Sequence, residues 1–451
     1  MSFEALPLLA QELTARVTAQ VAAQPVPDPA ATAWLLPATA LVALMVPGLA
    51  LFYGGMVGSR NVLSMLVQSL VTMAVVVVGW VLVGYSLAFG SSGPLLGDLR
   101  FLGLLGMDGP VPGFGADLGV PPVAYAVFQM MFAVVTAVLL LGATAERWRF
   151  AAVLPFMVLW PLFVYAPVAH WVFSPDGWAA RSGALDFAGG TVVHVNSGAA
   201  ALALAFVVGR RRGWPDAGNR PHNLPFVALG AGLLWVGWFG FNAGSALRAD
   251  GVAAYALANT AAAAATGLLA WIAVERVRCG KATTVGAASG LVAGLVAVTP
   301  AAGFVQPVSA LAIGATGGAL CALAVTLKVW FGYDDSLDVV GVHLVAGVAG
   351  SLSVGLFATT AVNPAGSDGL FASGEYALLG AQFLTVVAVA AYSFVATFGL
   401  AALLDRMVGN RASPAAERVG LDLAEHGESA YTADVLATSA PRRERPGSAR
   451  D

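Results

Sequence analysis

Charge is what this chain has least of. Asp, Glu, Lys and Arg make up 10% of its 451 residues, where soluble domains carry about 25%. A soluble chain with 58% hydrophobic residues could not keep its surface wet. The net charge of −3 offers nucleic acid no basic surface. Cysteine is nearly missing: Cys279 and Cys321 form no spaced motif and indicate neither a metal site nor a redox compartment. The N-terminal stretch lacks a basic run ahead of an apolar one, and Glu4 interrupts it, so it does not read as a secretory signal. No nucleophile motif, metal-ligand cluster or phosphate loop accompanies the acids and histidines. That argues against an enzyme and calls for no cofactor. The asparagine-led half-helices of a water or glycerol pore are missing too.

What the chain has in quantity is uncharged length. Mean hydropathy is +0.80. Runs near the ~20 residues that cross ~30 Å of hydrocarbon follow one another from end to end. A membrane barrel would alternate over ~10-residue segments instead. The pattern predicts an all-α polytopic membrane protein with eleven transmembrane helices, at about 33–55, 62–90, 122–144, 150–173, 187–209, 224–246, 252–274, 283–300, 304–331, 338–360 and 376–404. The Gly/Pro-rich stretch 91–121 reads as a long loop. The eighth span is short and ends at Pro300, where a tilt or break is expected.

Basic residues set the direction. One set of loops holds eleven of them: Arg60, Arg147, Arg149, Arg210, Arg211, Arg212, Arg220, Arg276, Arg278, Lys281 and Lys328. The alternate loops hold only Arg100, Arg181 and Arg248, and the N-terminal tail adds Arg16. The C-terminal tail adds seven more on the basic side. The C-terminus is therefore expected in the cytoplasm and, with an odd number of spans, the N-terminus outside the cell (inner) membrane. Three parts follow: an extracytoplasmic tail, 1–32; a membrane domain, 33–405; and a cytoplasmic tail, 406–451. That tail looks ordered over 419–435 and disordered from about 437.

Two histidines break the apolar pattern. His194 and His343 lie inside the fifth and tenth spans, whereas His170 lies near the outer end of the fourth. An ionisable side chain at membrane depth is costly and points to function. A single one usually bonds a neighbouring helix; two in matching contexts are harder to explain that way. Asp186 precedes His194 by eight residues, and Asp335 precedes His343 by eight. Spans one to five (about 33–210) and six to ten (about 224–360) then read as inverted five-helix repeats, with the eleventh span (about 376–404) added outside them. An inverted twofold would bring the two histidines together near the midplane. Each aspartate suits a helix N-cap equally well, and the two roles can coexist.

Aromatics cluster in FQMMF (128–132), HWVF (170–173) and WFGFNAGS (238–245). Phe128 and Phe132 share a helix face, as do Phe241 and Ser245. Aromatic faces hold a cation at roughly 0.5–2 kcal/mol each, and a hydroxyl adds an acceptor. An aromatic at a span end, such as Phe173 or Trp178, also suits the membrane interface.

Seven motifs carry a resemblance. PGLALFYGGMVGSRNVLSMLVQS (47–69), FQMMFAVVTAVLLLGATAERWRF (128–150), LDFAGGTVVHVN (185–196), GWFGFNAGSA (237–246), GAASGLVAGLVAVTPAAGF (286–304), DDSLDVVGVH (334–343) and GLDLAEHGESAY (420–431) stand in this order. Together they resemble the ammonium transporter family (Amt/Mep/Rh), its Amt/Mep branch more than its Rh branch, over roughly residues 33–435. The resemblance implies a homotrimer in the lipid bilayer with one pore per protomer and ammonium or ammonia as substrate. It implies an outer ammonium site of Phe128, Phe173 and Ser245 with Asp186, a gate of Phe132 and Phe241, and a pore lined by His194 and His343. Asp335, Trp238 and Thr299 are expected to support these. The tail resembles the segment on which PII-type signal proteins dock. One position departs: the family usually has Trp where Phe173 stands. A phenyl face attracts a cation more weakly than indole and lacks its N–H donor.

The implied mechanism agrees with elementary physics. Ammonium is close in size to potassium and to water, so size alone cannot select it. A bare charge in hydrocarbon is very costly, whereas ammonia is neutral. Neutral imidazole has one donor and one acceptor, and two adjacent rings can share a proton and relay another. The expected function is ammonium transport: recruitment at the outer site, deprotonation, passage of ammonia and separate proton transfer. The alternatives are an electroneutral ammonia channel and an ammonium sensor.

Overall fold

The computed structural model describes residues 27–111, 119–215 and 221–432. Among them every regular element is helical, and the extended contact between Trp148 and Arg411 is an isolated bridge. The described residues include ten helices long and apolar enough to cross a membrane, and a shorter apolar one joins them. In chain order they are α1 (Pro29–Met56), α2 (Ser59–Phe89), α3 (Pro122–Thr144), α4 (Phe150–Arg181), α5 (Gly190–Val208), α6 (Leu224–Gly244), α7 (Gly251–Cys279), α8 (Thr284–Val298), α9 (Pro307–Ala324), α10 (Val340–Phe357) and α11 (Ala377–Val408). These are the eleven spans expected. The chain is a multi-pass membrane protein.

Local chemistry explains the ends. The Asp28 side chain accepts the Ala30 N–H at 2.8 Å and Pro29 takes the first helical position, so α1 starts four residues earlier than expected. Asn223, Asp250 and Thr283 cap α6, α7 and α8 in the same way. Arg276 and Arg278 sit in the last turn of α7, where the helix dipole favours cations, and Gly280 closes it at φ 73°. The expected ninth span, 304–331, is too long: α9 ends at Ala324 and Leu327–Phe331 form a separate turn of helix. α8 has 15 residues, about 22 Å at 1.5 Å per residue. It ends at Val298, and Pro300 lies in the turn that follows. α8 packs among α6, α7, α9 and α10, which bury most of its surface. The expected tail residues 1–26 and 437–451 lie outside the described residues.

Small residues set how closely the spans approach, since lipid supplies no hydrophobic drive between helices. A Cβ on Gly230 would fall 2.6 Å from the Gly48 carbonyl oxygen, and one on Gly240 2.7 Å from that of Ala38. α1 and α6 therefore meet along a glycine seam. α5 and α10 meet the same way: a Cβ on Gly347 would lie 3.0 Å from the Val195 nitrogen. α3 runs through the centre, its residues almost wholly enclosed.

The matched aspartates do matched work. Asp186 accepts four backbone N–H groups, from Gly189 and Gly190 on Oδ1 and from Thr191 and Val192 on Oδ2, at 2.7–3.2 Å. Asp335 accepts those of Val339 and Val340 at 3.1 and 2.7 Å. Both spans then open with π-helical turns, Gly190–Val195 and Val340–Leu344, and each contains its histidine. Because the chain alternates sides, α5 and α10 begin on opposite faces of the membrane domain. Gly189 needs its φ of 103° to turn the chain into α5.

Candidate functional site

The two histidines meet. His194 Nδ1 lies 3.2 Å from His343 Nδ1, and the rings are nearly parallel, centroids 5.3 Å apart. His194 is fully buried and His343 5% exposed. One hydrogen between two Nδ1 atoms means that one ring donates and the other accepts. His194 Nε2 is buried without a protein partner.

Aromatics roof this pair. The Trp238 indole stacks on His194 at 5.5 Å and donates to Thr299 Oγ1 at 2.9 Å; that hydroxyl in turn donates to the Leu295 carbonyl. Phe132 and Phe241 stack at 4.1 Å, 19° from parallel, and the Phe241 ring lies 6.2 Å from that of His194. Phe132 meets two further rings edge-on, Phe128 at 5.0 Å and Phe173 at 6.2 Å. Phe128 also packs against Gly244, next to Ser245, whose hydroxyl donates to the Phe241 carbonyl and leaves its oxygen able to accept. The Phe173 ring lies against Gly189, in the turn that Asp186 holds.

The structure thus gathers Phe128, Phe132, Phe173, Phe241, Trp238, Thr299, Ser245, His194 and His343 into one column. Asp186 stands at the margin with its oxygens taken by backbone donors. Asp335 lies at the opposite end, under the start of α10. Below the Phe132–Phe241 stack the histidines line a narrow cavity with Leu49, Tyr53, Val292 and Ser289, which leaves about 20 Å3 for the centre of a water-sized molecule. Room for one small molecule needs roughly 10–15 Å3 on that measure.

Some residues of the site were not legible in advance. Asp338 borders the cavity, has φ 64°, and is bonded by Lys328 Nζ at 2.6 Å. Tyr53 lines the cavity and donates to the Leu139 carbonyl. Only their places in the quoted motifs hinted at either. Nearby, Arg147 is completely buried and donates to the carbonyls of Ala143, Ala145, Gly209 and Asp334 and to Ser336 Oγ. Arg211 bridges Asp334 at 2.9 Å and Glu146 at 3.0 Å. Burial pushes the Asp334 carboxyl up, but the Arg211 guanidinium outweighs it and holds the group below the usual carboxylate value.

The model of the Ammonium Transporter Family matches residues 33–431. The chain belongs to the ammonium transporter family. It is 50% identical over 442 residues to an ammonium transporter of Mycobacterium tuberculosis, covering 92% of each chain. The crystal structure of Candida albicans Mep2 superposes with a TM-score of 0.82 at 37% identity, over 90% of this chain and 91% of that one. A structure titled Sensor Amt Protein gives 0.80 at 31% identity, over 88% and 98%. The aromatic and histidine column thus lies inside the matched region of an ammonium transporter family member.

Proposed function

We propose that the chain takes ammonium at the outer aromatic site, strips its proton and passes ammonia through the histidine-lined pore, while the proton crosses separately. The buried His194–His343 contact beneath the Phe132–Phe241 stack carries this reading. Phe128, Phe173 and the Ser245 hydroxyl oxygen hold the cation; Phe132 and Phe241 gate it. Asp186 acts through the turn it braces and through its charge. Ammonium loses one proton outside, and ammonia and that proton recombine inside. The paired rings offer ammonia one donor and one acceptor and give the proton a relay.

The working unit is a homotrimer with the N-terminus outside and the C-terminus in the cytoplasm, which the basic loops support. The tail is a regulatory element and the docking place for a PII-type signal protein. Its supports are the contacts it makes beneath α2: Asp422 accepts the Ser64 N–H at 2.7 Å and the Leu421 N–H bonds Asn61 Oδ1 at 2.9 Å. The likeness to a protein titled a sensor gives a second reading, slow transport coupled to signalling.

Charge movement decides between them. Proteoliposomes on a solid-supported membrane are pulsed with ammonium and then potassium, for wild type and His194→Ala. The reading expects an ammonium current that scales with protein-to-lipid ratio and none with potassium. It expects His194→Ala to lose the current or its selectivity. No current in wild type would sink separated proton transfer; a pH-sensitive dye inside the vesicles then separates neutral ammonia passage from a sensor.

A further inference from the structure

The turns that open α5 and α10 match residue by residue. Asp186 caps one and Asp335 the other, and a histidine follows each by eight. Three residues after each cap the backbone is left-handed, at Gly189 with φ 103° and at Asp338 with φ 64°. Each of these two residues accepts, on its carbonyl, the N–H four residues on: Val193 at 2.8 Å and Val342 at 2.9 Å. Glycine adopts such a backbone without steric cost, and any side chain adds some, though aspartate adds less than most. One turn has the residue that this backbone favours; the other has an aspartate. Leu104, Glu146, Leu247 and Asp338 are the described residues other than glycine with a left-handed φ, and Asp338 is the one of them that borders the histidine cavity. Strain of this kind gathers at functional sites.

What the aspartate adds is a carboxylate where the cavity meets water. It lines the cavity beside Leu337 and Val342, and its side chain is also 25% exposed. It stands at the end of the column remote from the outer aromatics, in the turn that Asp335 holds. Capping does not need it, since Asp335 already accepts the Val339 and Val340 N–H groups. Lys328 Nζ donates to Oδ1 at 2.6 Å and is itself tied to the Asp335 carbonyl at 2.8 Å. Among the described residues nothing bonds Oδ2.

We infer that Asp338 is a substrate-contacting residue: its free oxygen accepts a hydrogen bond from the ammonia that leaves the histidine cavity, before water takes over. The inference rests on the transport reading. Ammonia moving away from the histidines passes mainly apolar walls, where its N–H groups find few acceptors. An acceptor that reaches both the cavity and the solvent shortens that stretch. A carboxylate accepts more strongly than a neutral oxygen. The structural alternative is that Asp338 serves only as the partner of Lys328, and the two make different predictions.

Three substitutions in the full-length protein test this: Asp338→Gly, Asp338→Asn and Lys328→Met. The first two are made alone and again beside the third, so that no ammonium group is left without its partner. Glycine suits the backbone and removes the acceptor; asparagine tolerates the backbone and keeps one acceptor oxygen. Beside Lys328→Met, Asp338→Gly should unfold at or above the midpoint of Lys328→Met alone, followed by tryptophan fluorescence in detergent. Its saturating ammonium current in proteoliposomes should fall roughly tenfold, the loss of one bond to a charged acceptor, and that of Asp338→Asn only roughly two- to threefold. A lower midpoint with glycine shows that the fold needs the carboxylate and overturns the inference. So does a glycine current equal to that of its parent, or an asparagine current as low as glycine's. If Lys328→Met alone carries no current, the single Asp338 variants are read against wild type. No wild-type current overturns the transport reading instead, and the midpoints then still show whether the carboxylate serves the fold.

Discussion

Replacing Asp186 by Asn separates a structural carboxylate from one that only attracts cations. The side chain accepts two backbone N–H groups on each oxygen, at 2.8 and 2.7 Å on Oδ1 and 2.8 and 3.2 Å on Oδ2. Asn keeps one acceptor oxygen and turns an NH2 toward the other pair, donor against donor. Hydrogen bonds to a charged group contribute roughly 1.5–3 kcal/mol each, so losing two costs about 3–6 kcal/mol. The loss falls on the turn that sets the register of His194 and backs Phe173. Asp186→Asn should therefore lower the unfolding midpoint, followed by tryptophan fluorescence in detergent, and abolish most of the saturating ammonium current. Asp335→Asn should cost about half as much, since that carboxylate accepts two N–H groups. If the carboxylate worked only through its charge, Asp186→Asn would keep its midpoint and raise the half-saturating concentration alone. An unchanged midpoint refutes the capping argument.

Phe173→Trp should tighten ammonium binding, because indole attracts a cation more strongly than phenyl. A gain of about 0.5–1 kcal/mol lowers half-saturation roughly two- to fivefold, and no change in current titrations would remove Phe173 from the site. Arg147→Met strips five acceptors of their donor, four of them on buried residues, and removes a buried charge 3.9 Å from the Asp334 carboxylate; breaking a buried charged pair costs about 3–5 kcal/mol, so folded protein recovered on size exclusion should drop steeply, and full recovery would contradict it. Asp334 is held below its usual value by Arg211, so its pairing stabilises the fold above about pH 4 and is lost as pH falls through the lower folded value. The midpoint gap between wild type and Asp334→Asn should stay level from about pH 8 to 5 and shrink only below about pH 4. A gap that narrows between about pH 7 and 5 would count against the pairing.

The spans were legible because lipid imposes a length and excludes charge, and that constraint acts on every residue of a segment. The histidine pair was legible because two costly residues shared one spacing from an aspartate. Partners set by tertiary contact were not. Arg147 reads as a loop charge in sequence, yet it is fully buried, because its acceptors come from residues as distant as Gly209 and Asp334. The end of α9 was missed for a similar reason: Leu327–Phe331 are apolar enough to extend a span but form a helix of their own, mostly exposed. The capping role of Asp186 was visible as one of two readings. Only the geometry shows that four backbone groups occupy it.

On the proposed mechanism, selectivity would follow from the order of the layers. Ring centroids 4.1 Å apart leave no gap between Phe132 and Phe241, so anything that passes must first displace a ring. A hydrated ion would have to shed its shell to do so. Below the Phe132–Phe241 stack the walls are mainly apolar, and the Tyr53 hydroxyl already donates to the Leu139 carbonyl while Lys328 bonds Asp338. Trp238 covers one face of His194, and the Nδ1 atoms face each other, so the lone pair of the accepting ring is already used. A potassium ion there meets mainly apolar side chains, the Tyr53 and Ser289 hydroxyls, the bare Nε2 of one ring and, at the border, Asp338, whose carboxylate Lys328 already bonds. Ammonia arrives without charge and can donate to that bare Nε2 and accept from the Nε2–H of the other ring. Potassium has no proton to leave outside, and ammonium does. On that proposal the difference between the two ions arises at the outer aromatics, where deprotonation is open to one of them, and the mainly apolar column beneath needs only to refuse charge.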